Sequence, residues 1–348
     1  MANALTTVEA VKRAAKIWGT EFDDLILGHI QAASVAFEGD CSGQLLCNFI
    51  PTTAVRSYDW PQRLGTSYRL NLDAVLLTVT SITTDNGTTT LLVSQYKLPG
   101  NWGHYTTIEI DLSTSAAFSS STTPQKAIAV TGVWGWASTT KAAGTLAAAI
   151  TTATVTTCTI SDASLIGIGD TLLIDSERLF VSGRSTLTTG TTLNGALTGT
   201  KSQNTVAVVS GAAVNAGEVI LVDSEEMYVR SVSGNNLSVT REYNGTTLAA
   251  HNTATTVYAY RTLTIERGAN GSTAATHLIS AAISRYVPPD DVSQIVRAAA
   301  IMTLQEDLAA WGREIGTGDA GREFKGTAYW KVRATAVESY RFRGIGAV

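Results

Sequence analysis

The residues with the clearest potential for chemistry are an Asp-Ser-Glu triplet that occurs twice, Asp175-Ser176-Glu177 and Asp223-Ser224-Glu225, and two histidines, His251 and His277, that end two further related segments. Carboxylates and imidazoles are the groups of metal sites and of acid–base pairs. Acidic residues that follow a strand are also ordinary turn residues and turn caps, and a catalytic pair has no need to appear twice. The triplets are therefore expected to be structural. His29 lies beside the apolar face of a helix with no second His or Cys at ligand spacing. Gly316-Thr317-Gly318-Asp319-Ala320-Gly321 fits GxGxxG but follows a helix, whereas a dinucleotide loop needs a preceding strand, so it is expected to be a helix–helix linker. Cys41, Cys47 and Cys158 form no CxxC and are expected to be buried small side chains. The chain has no nucleophile–base–orienter set, P-loop or HExxH. No catalytic, cofactor or metal site is assigned, and the chain is not expected to be an enzyme.

The triplets belong to a longer repeat. Gly169 to Val181 matches Gly217 to Val229 at an offset of 48, and the Arg241-Glu242-Tyr243-Asn244-Gly245-Thr246-Thr247 segment ending at His251 recurs as Arg267 to Thr273, ending at His277. This predicts a small β module, strand, turn, strand and Asn-Gly turn, duplicated in tandem. Upstream, short alternating or β-branched segments between Leu45 and Val133 predict another β domain, with Asp85-Asn86-Gly87 as a hairpin turn. Ser113 to Pro124 reads as a flexible polar loop.

Helices flank this β region. Thr6-Thr7-Val8-Glu9 has the form of a capping box and opens a helix to about Trp18, and a second runs from Thr20 to Gly39 with Phe22, Ile26, Ile30, Ala33 and Phe37 on one face. Near the other end, Pro288-Pro289-Asp290-Asp291 starts a helix that carries two apolar rows toward Ile315. Val292, Ile295, Ala299 and Met302 form one row; Ile301, Leu304, Leu308 and Trp311 form the other. A last helix carries Trp330 and ends in Tyr340. The fold class is thus expected to be α+β: terminal helices in a bundle at 1–45 and 280–348, a small β domain at 46–137, and tandem β modules at 138–279.

Of the 348 residues, 44% are apolar and only 16% charged, with a net charge of −4. That excludes a globally basic nucleic-acid surface and suits a chain buried in an assembly. No apolar window is long enough for a membrane helix and no signal peptide is evident, so the chain is expected to be synthesised in the cytoplasm. Charge is uneven: Arg322, Lys325, Lys331, Arg333, Arg341 and Arg343 outnumber Glu323 and Glu338, while the first 45 residues are acidic. The basic, aromatic end either pairs with the acidic one or docks on another subunit.

The VEAVKRAAKIWGTEFDDLILGHIQAASVAFE start, the Thr131-Gly132-Val133-Trp134-Gly135-Trp136 phrase and the Tyr-Arg-rich end together resemble the head–tail connector (portal adaptor, head-completion) family of long-tailed double-stranded DNA phages. The resemblance is best over 5–45 and 285–343. It implies a ring of twelve copies in the virion neck, partnered by the portal above and a stopper, tail-terminator or tail-tube protein below. Double-stranded DNA would pass through without sequence-specific binding, and no membrane or cofactor is involved. The family's C-terminal segment docks on the portal, which assigns Tyr340, Arg341, Phe342, Arg343 and Ile345 here. Ile301, Leu304, Leu308, Trp311 and Trp330 are the candidates for the ring interface. The alternative is a tail-associated carbohydrate- or receptor-binding protein that stacks sugars on Trp102, Trp134 and Trp136.

Overall fold

A computed structural model describes residues 3–42, 47–61, 67–100, 103–308 and 327–341; these form four helices and two antiparallel sheets in a mixed α+β chain that is mostly β. Helix α1 (Val8–Ala15) begins at Thr7, whose hydroxyl accepts the Ala10 N–H at 3.3 Å. The cap expected at Thr6 is one residue further on. Glu9 does not turn back to complete a capping box, because it is held by the Arg184 guanidinium at 3.1 Å and the Ile168 N–H at 3.0 Å, a stronger set of donors than one free amide. Lys16, at φ 56°, ends the helix before Trp18. Helix α2 (Asp23–Cys41) buries Ile26, Leu27, Ile30, Ser34, Phe37 and Cys41, a stripe of three- and four-residue steps.

The first sheet contains β1 (Thr52–Tyr58), β2 (Arg69–Thr84), β3 (Thr89–Leu91), β4 (Tyr96–Lys97), β5 (Tyr105–Ile110) and β6 (Ile128–Trp134), in the order β1-β6-β2-β5-β4 with β3 on β2. Asp85-Asn86-Gly87 turns β2 into β3, and all three residues have positive φ. Gly132 is required where β6 crosses the irregular part of β2: a Cβ there would lie 2.3 Å from the Thr78 carbonyl oxygen. Segment 113–124 is not the free loop its composition suggests. Phe118 is buried, its carbonyl accepts the Trp60 indole N–H at 2.8 Å, and Ser119 exchanges hydrogen bonds with Thr84 and Asp85. One apolar side chain among eleven small or polar neighbours pins the run.

The second sheet contains β7 (Thr140–Thr145), β8 (Thr157–Thr159), β9 (Thr171–Ile174), β10 (Glu177–Thr192), β11 (Thr205–Ala207), β12 (Val219–Val222), β13 (Glu225–Ser233), β14 (Asn236–Thr240), β15 (Thr256–Glu266) and β16 (Ala282–Tyr286). The repeats do not follow one another in tandem; one lies inside the other. In the inner copy Ser233 faces Asn236 across a turn made by Gly234 and Asn235. The equivalent outer pair, Ser185 and Thr262, is also in register, but the whole inner copy is spliced between them. Strands β10 and β15 run through both copies. Each pairs within the outer copy at one end, and at the other end Thr192 faces Thr256 as Thr145 faces Ala282 in the outer copy. The sequence offsets of 48 and 26 are the traces of this nesting.

Helix α3 (Asp290–Leu308) follows β16, and α4 (Thr327–Tyr340) lies beyond it. Val292, Ile295, Val296, Ala300 and Leu304 of α3 join Leu5, Val8, Val11, Ile26, Ile30 and Phe37 in one core, to which α4 adds Ala336 and Val337. Neither of the two apolar rows predicted for α3 is fully buried, because the buried stripe, Val292, Ile295, Val296, Ala300 and Leu304, runs between them. Met302, Ala299 and Ile301 are half-buried and Leu308 is exposed; the part of the helix expected beyond 308 lies outside the described residues.

Candidate functional site

The two triplets and two histidines do converge, copy by copy. In the outer copy the β9–β10 hairpin turns on Asp175, at φ 52°, and Ser176, which places Glu177 at the start of β10 with its side chain fully buried. The Arg267 guanidinium grips it with two bonds, Nε to Oε1 at 2.7 Å and Nη2 to Oε2 at 2.8 Å. His277 bridges Glu177 at 2.8 Å and Asp175 at 2.8 Å through its two ring nitrogens. The inner copy repeats the set. Arg241 binds Glu225 at 2.9 and 2.6 Å, and His251 bridges Glu225 at 2.9 Å and Asp223 at 2.7 Å.

Burial alone would raise the two glutamates. It is outweighed by the guanidinium, the imidazole and the N–H groups of Gly268 and Ala275, or of Glu242 and Ala249, which hold both carboxyls at about 2. Every acceptor direction of each carboxylate is taken by a protein donor, which leaves no lone pair for a substrate proton or a cation. The arginines in turn donate to loop carbonyls, Arg267 to Thr152 and Arg241 to Thr198. Each set therefore closes a β module by tying its hairpin turn, its Arg strand end and its His loop together.

The Asn-Gly turns that follow the arginines are joints to the rest of the chain. Asn244 accepts the Gly19 N–H at 2.9 Å, and a Cβ on Gly245 would meet Trp18 at 2.9 Å. In the outer copy a Cβ on Gly271 would lie 2.0 Å from the Thr53 carbonyl oxygen of β1, and Arg178 reaches the Thr53 hydroxyl at 2.9 Å. Repetition alone does not reveal these contacts, since both turns look like solvent-exposed hairpins in sequence.

A cavity of about 800 Å³ separates the inner copy from the N-terminal segment, lined among others by Glu9, Arg184, Asp170, Arg285, Tyr243 and Tyr260. Six of its charged residues are paired with one another: Glu9 with Arg184, Lys12 with Asp23 at 2.8 Å, and Asp170 with Arg285 at 3.5 Å. Burial pushes Asp170 up to about 6, against the Gly167 N–H and Arg285.

The residues predicted to dock or to line a ring divide three ways. Tyr340 is engaged within the chain: its ring meets Phe49 at 5.2 Å and Trp136 at 5.0 Å, both edge-on, and its hydroxyl donates to Asp291 at 2.7 Å. Arg341 donates to the Asp40 carbonyl at 3.1 Å, and Arg333 forms an ion pair with the Asp40 carboxylate. So the basic end pairs with the acidic one here, the first of the two alternatives read from charge. Leu304 is core and Ile301 packs against it, whereas Leu308 and Trp330 are exposed. Phe342, Arg343, Ile345 and Trp311 lie outside the described residues. Trp134 is buried with its indole N–H on the Ala54 carbonyl at 3.0 Å, and Trp136 is packed in the aromatic group, so these two do not form an open stacking face; Trp102 lies outside the described residues. Cys41 and Cys47, read separately in sequence, are neighbours.

No helix among the described residues is long and apolar enough to cross a membrane. Searches against protein-family models, curated proteins and solved structures each find no match to this chain.

Proposed function

We propose that the chain is a structural virion protein that assembles as a twelve-fold ring between a phage portal and the tail, or the next connector ring, and lengthens the DNA channel. In this reading the terminal helices are the ring-forming bundle and the duplicated β modules project from it. The observation that carries it is the surface of the helical core. Its inner stripe is filled from both ends of the chain, yet the same helices expose Leu25, Val35, Leu308, Trp330 and Val332, with Trp18 and Phe22 beside them. Large apolar side chains left exposed on helices that pack on one another suit a surface that another molecule covers. Identical neighbours in a closed ring would cover it by heterologous contacts. Trp136 and Tyr340 would then seat α4, and the sequence beyond it, with Phe342 between two arginines, would supply the portal-docking segment.

Light scattering of the purified protein, alone and with portal, tests this. A ring, or a monomer that joins portal in fixed stoichiometry, is expected. A chain truncated after Arg341 is expected to stay folded and to lose co-sedimentation with portal, and an unchanged pellet would remove the docking role. A monomer indifferent to portal would overturn the connector reading itself.

A further inference from the structure

The two modules allow a comparison inside one chain. In the outer copy the backbones of Leu146 and Ile150 are bonded to Ser280, Ala281 and His277; in the inner copy Leu193 and Leu197 make the same bonds to Ala254, Thr255 and His251, all between 2.8 and 3.0 Å. Both return loops turn on a residue of positive φ, Ser280 at 65° and Ala254 at 66°. The backbone of the tip is therefore shared, but the side chains it carries are not. The inner tip holds Asn194-Gly195-Ala196 and Asn252-Thr253. The outer tip holds Ala147-Ala148-Ala149 and Leu278-Ile279, all exposed, with Leu278 at 81% and Ile279 at 61%. Since the inner copy makes the same turn with polar residues, folding does not require the apolar pair, which suits a surface that another molecule covers.

A second patch of the same character lies on the other sheet. Val93, 80% exposed, and Leu278 are the most exposed large apolar side chains among the described residues. Val93 follows exposed Leu92 in the turn before β4, and the Asp111 N–H donates to the Gln95 carbonyl at 2.8 Å, which keeps exposed Leu112 close to that turn. Residues 142–161 and 278–284, around the tip, contain no charge, and Lys97 and Asp111 beside the second patch pair with each other at 3.2 Å. Nucleic acid finds no cation on either patch, whereas two neutral apolar surfaces bury one another without stranding an ion. Each chain carries one patch of each kind. A head-to-tail contact between copies uses two unlike patches, while a patch that met itself across a two-fold axis would need no second.

We propose that the outer module tip, Ala147 to Ala149 with Leu278 and Ile279, docks on Leu92, Val93 and Leu112 of a second copy of this chain. Two large side chains and three alanines fall well short of the roughly 800 Å² per partner of a stable pair, so a single contact is weak and holds when it is repeated around a closed assembly. The contact deepens the ring reading and rests on it for that repetition.

Val93→Cys and Leu278→Cys are made in separate full-length chains, whose native cysteines are buried. Each chain is oxidised alone and mixed with the other, with and without portal, and the products are mapped by mass spectrometry. A dimer cross-linked between positions 93 and 278 is expected from the mixture, and no dimer from either chain alone. Leu278→Asn combined with Ile279→Thr installs the inner copy's residues. That variant is expected to keep the melting temperature and to need about tenfold or more protein to assemble, alone or on portal, because burial of two aliphatic side chains is lost. Dimers from Leu278→Cys alone, no mixed cross-link in either condition, or assembly of the Asn-Thr variant at an unchanged concentration would overturn the contact; if the chain still joins portal, the ring reading stands without it. A mixed cross-link in a chain indifferent to portal would keep the contact and remove the portal reading.

Discussion

Ser185 and Thr262 face each other across β10 and β15 in the same register that Ser233 and Asn236 hold in the inner copy. In one case the chain turns between them in two residues, and in the other it builds a second module before returning. The outer copy should therefore close without its insertion. Replacing residues 186–261 by Gly-Asn is expected to leave a folded β module with the Arg267–Glu177–His277 set intact, and the inner copy, made as 187–260, is expected to fold alone. Circular dichroism and amide dispersion of both products check this; a molten 187–260 would mean that the copies are not autonomous.

The buried Arg–Glu sets predict a local defect. Arg241→Met leaves Glu225 with an uncompensated charge and is expected to cost about 3–5 kcal/mol. Because the set lies within the inner copy, amide exchange is expected to rise in 193–255 and to change little in the outer sheet. Arg241→Met with Glu225→Gln should recover part of the loss, since the unpaired charge is gone.

Acid should open the same sets. Glu177 and Glu225 are depressed from 4.5 to about 2 in the folded chain, so the stability they contribute is complete above about 4.5 and is lost as pH falls toward 2. Denaturant midpoints between pH 5 and 2 are expected to fall more steeply for the intact chain than for Glu177→Gln or Glu225→Gln.

Glu38 behaves in the opposite direction. It accepts the Asn3 amide at 2.8 Å and the Phe49 N–H at 2.8 Å, yet burial outweighs both and raises it to about 7. A raised carboxyl favours the protonated folded state, so its contribution is present at low pH and is lost as pH climbs from 4.5 through 7. Glu38→Gln is expected to raise the melting temperature at pH 8 and to leave it nearly unchanged at pH 4.5. With its oxygen kept on the Phe49 N–H, the glutamine presents its NH2 to Asn3, whose amide turns over so that its oxygen, otherwise buried without a partner, accepts that bond.

Two glycines separate backbone strain from steric fit. Gly190 and Gly271 have similar positive φ, 79° and 74°, but only Gly271 lies against backbone, at Thr53. Gly190→Ala is expected to cost about 1–2 kcal/mol through φ alone. Gly271→Ala is expected to cost more and to displace β1 from the outer copy, seen as new chemical shifts at Thr52 to Val55.

Much of this organisation is legible in the sequence. The stripe on α2, the Asn86-Gly87 hairpin and the equivalence of the two Asp-Ser-Glu turns follow from local periodicity and turn chemistry. What is not legible is long-range. The offsets of 48 and 26 mark two matches, but nothing local says that the second lies inside the first, because β10 and β15 read as single strands. Glu9 looks like a capping residue because its competing partner, Arg184, is far along the chain. The partnership of Tyr340 with Asp291 and Phe49 is hidden for the same reason.

The meeting of both chain ends in one helical core also sets a load path. A pull between Asn3 and Arg341 acts on the contacts of α2 with α3 and α4, and also on the joints of the N-terminal segment to the β modules at Ile168, Arg184 and Asn244. The load is shared between helix packing and those joints, so the strands inside each β module are reached only after one of the two has parted.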